Sequence, residues 1–176
     1  MVQQNIFVVP SERTATAGVQ YVLTANAGGE SQRRIQGNSF LKLGKNQNNP
    51  AVQMLDKGFD SCNFTNNVFE GFVDAVVIGS DARGSVYAGN SFYDNTNDIN
   101  YDSMGLVSTQ NETLTSSPFE KSGSLSFANR AQYFAPADVG NVRTGGYSPH
   151  GASGITRGAI PFAGTSGGGS QFHLLG

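Results

Sequence analysis

The chain has 176 residues, of which 14% are charged, and a formal net charge of −2. This length is enough for one domain with a sizeable core. The near-zero net charge excludes a protein that binds nucleic acid mainly through a basic face, so no nucleic-acid partner is expected. No apolar run approaches the roughly 18 residues of a membrane-spanning helix. The single cysteine, Cys62, excludes an internal disulfide.

The first segment, residues 1–18, is interpreted as an N-terminal strand or cap. Apolar and β-branched residues at positions 6–9 are followed by Pro10, which predicts a short strand that ends at the proline. Met1 is followed by polar residues, without the charged leader and apolar run of a signal peptide. No signal peptide is therefore visible, although the low charge and the Asn- and Gly-rich composition favour an extracellular or cell-surface protein.

Residues 19–107 contain a repeat with two apolar signals per unit. One signal is a triplet whose outer members are apolar, and the other is an apolar residue followed five positions later by an aromatic one. The triplets begin at Val19, Val52, Val76 and Met104, and the second signal occupies residues 35–40, 59–64 and 87–92. Period-two alternation predicts strands with one buried face.

The segments between these strands are dense in Gly, Asn, Asp and Ser, which tolerate turn geometry. The triplets are offset by 33, 24 and 28 residues. A solenoid permits such unequal offsets, because insertions lie in turns outside the stacked core. Stacked coils would place equivalent side chains on top of one another. We therefore predict an aromatic stack of Phe40, Phe64 and Phe92, an aliphatic stack of Val52, Val76 and Met104, and an amide ladder that joins Asn67 to Asn95.

The period stops near residue 108. Residues 108–144 are interpreted as an irregular capping segment with a short helix at 126–134. Residues 145–176, the arm, contain ten of the 23 glycines and one charged residue, Arg157. Apolar residues are scattered through the arm, so we expect it to dock either on its own coils or on those of a neighbour.

The repeat resembles the right-handed parallel β-helix, in its diffuse pectate-lyase-like form. The resemblance rests on a period near 24 and on the Asn-rich phrases at residues 62–67 and 90–95, and it covers residues 19–107. It implies an all-β fold, a right-handed parallel β-helix of about three to four short coils with an irregular Gly-rich C-terminal extension. On this view, the chain is the C-terminal part of a solenoid.

Few residues are candidates for chemistry, and the lyase and glycosidase motifs of this family are absent from the sequence. No catalytic site is predicted, and Asp60 and Asp74 are the candidates for catalytic carboxylates if the chain is an enzyme. Asp94, Asp98 and Asp102 follow one another at intervals of four, which is typical either of a Ca²⁺-binding loop or of an Asn- and Asp-rich turn between coils. We therefore predict no cofactor and no metal site, with Ca²⁺ at these three residues as the one alternative left open.

Two functions are compatible with these observations. The first is a non-enzymatic extracellular structural β-solenoid that self-assembles into a homo-oligomer through its coil ends and the arm, because unpaired strand edges invite another chain. The alternative is a C-terminal fragment of a polysaccharide lyase or glycoside hydrolase, or a carbohydrate-binding module. Under the alternative, Tyr93 and Tyr101 beside the turns would stack on the sugar rings of a polysaccharide.

Overall fold

In a computed structural model of the chain, the fold is essentially all-β with short parallel strands, as the sequence predicts. The structure describes residues 2–9, 34–44, 50–54, 63–78, 86–101, 107–148, 155–160 and 171–174. Within these ranges, every pairing between strands is parallel, and one short helix is present.

The strands form three sheets. The first sheet contains, in order, β1 (Val2–Gln3), β3 (Arg34–Gln36), β6 (Asn63–Thr65), β9 (Val86–Ala88) and β12 (Val107–Thr109). The second contains β14 (Gln171–Leu174), β2 (Asn5–Val9), β4 (Ser39–Lys42), β7 (Val68–Glu70), β10 (Ser91–Tyr93) and β13 (Glu112–Thr113). The third contains β5 (Val52–Met54), β8 (Asp74–Ile78) and β11 (Asn97–Tyr101).

Successive strands along the chain belong to the first, second and third sheet in turn, and this order repeats. We call one passage a round; β6, β7 and β8 make one round, and β9, β10 and β11 make the next. Each strand pairs with its equivalent in the following round, so that the rounds form a stack compatible with a solenoid. The stack has an N-terminal end at β1 and β2 and a C-terminal end at β12 and β13, so it extends beyond residues 19–107 on both sides.

The predicted aromatic stack is wrong for Phe64. Phe40 pairs with Phe69, and Phe69 pairs with Phe92, with ring centroids 4.7 and 5.3 Å apart. Phe64 lies in the first sheet, where it pairs with Tyr87. The physical reason is the register, because these rounds repeat at offsets of 29 and 23 residues and not at 24 and 28.

The predicted aliphatic pairing of Val52 with Val76 is confirmed, and both side chains are fully buried. On its other side, Val76 pairs with Ile99, so Ile99 occupies the place predicted for Met104. Met104 itself lies outside the described residues. The three sheets thus enclose an apolar interior along the length of the stack.

The second sheet is buried on both faces, as is usual for parallel sheets. Its phenylalanines Phe7, Phe40, Phe69 and Phe92 pack into the interior cluster, and aliphatic side chains on the other face pack against Phe119 and Phe134. These aliphatic residues are Ile6, Val8, Leu41 and Val68. The helix α1 (Arg130–Tyr133) directly precedes Phe134 and lies within the predicted range 126–134. The segment after residue 113 therefore packs along the side of the second sheet.

Gly71→Ala should destabilise the stack. Gly71 follows β7 with a φ of 87°, and a Cβ there would lie 2.5 Å from the carbonyl oxygen of Lys42 in the preceding round. We expect the free energy of unfolding in urea to fall by more than about 1 kcal/mol, because left-handed strain adds to a clash with the backbone. Gly123→Ala is the control, since Gly123 has a φ of 78° but its nearest neighbouring atom would be 3.6 Å away. Equal losses in the two variants would contradict a role for the clash.

Candidate functional site

A ladder of asparagines runs through the turn between the first and second sheets. Its rungs are Asn5, Asn38, Asn67, Asn90 and Asn111. From Asn38 onward, the Oδ1 atom of each rung accepts two hydrogen bonds from the rung before it, one from the backbone N–H and one from Nδ2, at 2.9 to 3.1 Å. Buried amides are costly unless they are hydrogen-bonded, and the ladder satisfies them along the stack.

The predicted ladder of Asn67 and Asn95 is wrong in its partner. Asn67 bonds to Asn38 and Asn90, whereas Asn95 lies at the following turn, where its Oδ1 accepts the N–H of Phe72 at 2.9 Å. The two asparagines therefore occupy different turns of the round. The predicted offset of 28 residues is the reason for this error, as it is for Phe64, because the rounds here repeat at 23 residues.

The residue before each rung is left-handed. The φ values are 54° at Gln4, 63° at Gly37, 58° at Asn66, 65° at Gly89 and 55° at Gln110. The three inner positions hold Gly or Asn, which adopt this conformation readily. Both end positions hold Gln. The two ends of the stack thus share one turn, a left-handed Gln followed by the Asn rung.

The C-terminal end of the stack has an edge at β12. Ser108, Thr109 and Gln110 are all exposed. One round earlier, the N–H of Gly89 donates to the carbonyl oxygen of Thr109 at 3.1 Å. Gln110 and Asn111 are the equivalents of Gly89 and its Asn rung, and no described residue accepts a hydrogen bond from either of their backbone N–H groups. In the described part of the chain, the sheet and the ladder therefore end here with donors directed along the stack.

The opposite end carries the arm. β14 pairs in parallel with β2, from Gln171 beside Asn5 to Leu174 beside Val8. Of the two docking modes that the sequence left open, the structure has the arm on its own stack. The edge of β2 therefore accepts an added parallel strand.

A strap, residues 155–160, crosses the stack between the two ends. Its contacts are Arg157 with Ser91, the N–H of Gly158 with the carbonyl oxygen of Asn66, and the N–H of Ala159 with Oγ of Ser39. These partners lie in successively earlier rounds. The strap therefore leads the chain from the C-terminal end of the stack toward the N-terminal end.

Arg157 holds the strap to the last rounds, and its side chain is only 1% exposed. Nη1 donates to Oε1 of Glu112 at 2.7 Å. The other acceptors are the carbonyl oxygens of Asn90, Gln110 and Gly145 and Oγ of Ser91. Burial lowers the pKa of Arg157, and the charge of Glu112 acts in the opposite direction. Sequence reasoning did not assign Arg157 a role, although it is the one charged residue of the arm.

The structure describes one of the two candidate catalytic carboxylates. Asp74 lies at the start of β8, and its Oδ1 accepts a hydrogen bond from Nδ2 of Asn97 on the neighbouring strand at 2.8 Å. Asp60 lies outside the described residues. The geometry around Asp74 is that of a polar pair between adjacent rounds.

The candidate Ca²⁺ residues are only partly described. Asp94 is exposed and left-handed with a φ of 53°. Asp98 accepts hydrogen bonds from Asn95 and Thr113. Asp102 lies outside the described ranges. Among the residues that the structure does describe, no group of three or more His, Cys, Asp or Glu side chains could hold a metal ion.

The two tyrosines suggested for sugar contact lie on different strands. Tyr93 ends β10 and is half-buried. Tyr101 ends β11, and its side chain lies outside the described part of the structure. The strand edges, and not these side chains, are the most clearly defined candidate site.

No protein-family model, curated protein or solved structure matches this chain. In the described ranges, no helix is both long enough and apolar enough to cross a membrane.

Proposed function

We propose that this chain is a non-enzymatic structural protein of the extracellular space or cell surface, built as a right-handed parallel β-helix of the pectate-lyase-like kind. Copies associate through the two ends of the stack. The arm, which the hypothesis from sequence made part of the contact, pairs instead with β2 of its own chain. The observation that best supports association through the ends is the β12 edge. There the first sheet and the asparagine ladder end with backbone donors directed at a position that no described residue fills.

The two ends of the stack have matching turn chemistry. A left-handed Gln precedes the Asn rung at both ends, with φ values of 54° at Gln4 and 55° at Gln110. If β12 of one copy pairs in parallel with β1 of the next, Asn111 comes to lie beside Asn5 in the register that neighbouring rungs have within the stack. The partner is therefore a second copy, and the contact is heterologous, from the C-terminal end to the N-terminal end.

Ser108→Pro tests this pairing. Consecutive N–H groups of a strand point to opposite sides, and Thr109 faces β9, because its carbonyl oxygen accepts the N–H of Gly89. The N–H of Ser108 therefore faces the exposed edge. Removing this N–H should reduce association at least about tenfold, since proline cannot donate to an added strand. Size exclusion with light scattering, followed by electron microscopy, measures the effect.

Ser108→Ala is the matched control, because both variants remove Oγ, which accepts a hydrogen bond from Asn111. We expect the original chain and Ser108→Ala to associate alike, with Ser108→Pro shifted toward monomer. Equal association of the two variants would contradict the proposed contact. A clean monomer of the full chain at high concentration would contradict self-assembly itself.

The carbohydrate-related alternative places the function at Asp74 and Tyr93 instead. It predicts that the chain binds a polysaccharide or releases reducing ends or unsaturated uronate from acidic or neutral polysaccharides, with or without Ca²⁺. The structural proposal expects no such release. Activity that is lost in Asp74→Asn would favour the alternative.

A further inference from the structure

The strand β14 lies where a second copy would have to place its own β13. We propose that the C-terminal arm is a cap that competes with a second copy for the N-terminal end of the stack. This inference rests on the proposed pairing of β12 with β1. It adds that the chain itself regulates the pairing, through its last strand.

The arm and a second copy compete for β2 because the turn between β12 and β13 is short. Only Gln110 and Asn111 separate β12 from β13. When β12 of an incoming copy pairs with β1 of the chain, β13 of the incoming copy must therefore lie beside β2 of the chain in the second sheet. That edge of β2 is already paired with β14, from Gln171 to Leu174. One edge of a strand accepts one partner, so the arm and the incoming copy exclude each other.

The path of the arm explains how β14 reaches the N-terminal end of the stack. The strap leaves the last rounds at Arg157 and reaches Ser39, in the second round, through Ala159. Ile160 then packs against the cluster that contains Ile6 of β2. The arm is therefore anchored beside β2 before β14 begins.

The tether favours the cap over a second copy in dilute solution. Residues 161–170 are the ten residues between the strap and β14. A short tether presents its end at an effective concentration on the order of millimolar. A second copy must overcome this advantage, so removing the cap should raise the tendency to associate.

Two variants remove the cap in different ways. The first is a deletion of residues 161–176, which leaves the strap intact. The second is the full chain with Phe172→Pro and His173→Pro. Consecutive N–H groups of a strand point to opposite sides, so one of these two positions donates toward β2. The matched control is Phe172→Ala with His173→Ala, which keeps both N–H groups.

We expect the deletion and the double-proline variant to associate at concentrations at least about tenfold lower than the full chain, as measured by sedimentation velocity. The double-alanine variant should stay closer to the full chain. Adding a synthetic peptide of residues 161–176 to the deletion variant should reverse the gain, whereas a scrambled peptide should not. Circular dichroism and cooperative unfolding confirm that each variant is folded.

Two outcomes separate this inference from the proposed function. If neither cap variant associates more than the full chain, the inference that the arm is a cap is wrong. If Ser108→Pro still weakens association in that case, the pairing of β12 with β1 stands. If association of the deletion variant survives Ser108→Pro, the copies meet elsewhere. That second outcome overturns both the pairing of β12 with β1 and the competition that depends on it.

Discussion

Arg157→Ala is expected to lower the free energy of unfolding by about 3 kcal/mol. Removing one partner of a buried ion pair typically costs about 3–5 kcal/mol, because the other charge stays uncompensated. The lower end applies here, since the Glu112 side chain is 19% exposed. The carbonyl oxygens of Gln110 and Gly145 also lose their guanidinium donor. Urea denaturation followed by circular dichroism measures the loss.

Two further variants separate the buried pair from charge alone. Arg157→Lys keeps the charge but cannot make the forked contacts of Nη1 and Nη2, so most of the loss should remain. Arg143→Ala removes an arginine that bonds to the more exposed Glu120 and Asp138, and it should cost less than about 1 kcal/mol. Similar losses for Arg157→Ala and Arg143→Ala would show that the strap is not held by its buried arginine.

Much of the fold could be predicted because parallel stacking has a strong pattern. Alternating apolar triplets between Gly- and Asn-rich turns predicted short parallel strands and the contact of Val52 with Val76. The register within a round was harder, because Phe64 and Phe69 are only five residues apart and each has Asn within the three residues before it. Hydrophobicity does not distinguish them, since both are fully buried.

The ladder distinguishes the two phenylalanines. An Asn two positions before the aromatic residue recurs at Asn38, Asn67 and Asn90, each at a buried rung. The predicted stacking of Phe64 on Phe40 and Phe92 instead puts Cys62 at that position. A thiol cannot donate and accept as an amide does, so it could not continue the ladder. The requirement that a buried amide be hydrogen-bonded on both sides would have given the observed register.

The ends of the stack could be predicted less well. The arm was expected to dock, but its partner strand depends on which sheet edge lies within reach of the strap, and local sequence does not encode that distance. The role of Arg157 likewise depends on Glu112, 45 residues away in the chain. A lone charge in a Gly-rich segment was the available signal, and it indicates a buried contact only when an acidic partner is known.

Asn67→Ala should produce the largest loss, about 4 kcal/mol in the free energy of unfolding. Oδ1 of Asn67 accepts the backbone N–H and Nδ2 of Asn38, and Nδ2 of Asn67 donates to the carbonyl oxygen of Ile35 and to Asn90. Asn38 and Asn90 are fully buried, so water cannot replace the lost partners. Each buried polar group left unpaired costs about 1–3 kcal/mol. Chemical denaturation measures the total.

A double-mutant cycle shows whether the asparagines act as a ladder or as separate hydrogen bonds. Asn67→Ala and Asn90→Ala remove a shared contact, so the double variant should lose at least about 0.5 kcal/mol less than the sum of the single losses. Asn97→Ala is the control, because the hydrogen bond from its side chain to Asp74 is exposed and should contribute less than about 1 kcal/mol. Strict additivity between Asn67 and Asn90 would contradict the ladder. Sub-additivity would show that neighbouring rungs stabilise each other, and in the proposed assembly a second copy would extend this coupling from the half-buried rung at Asn111.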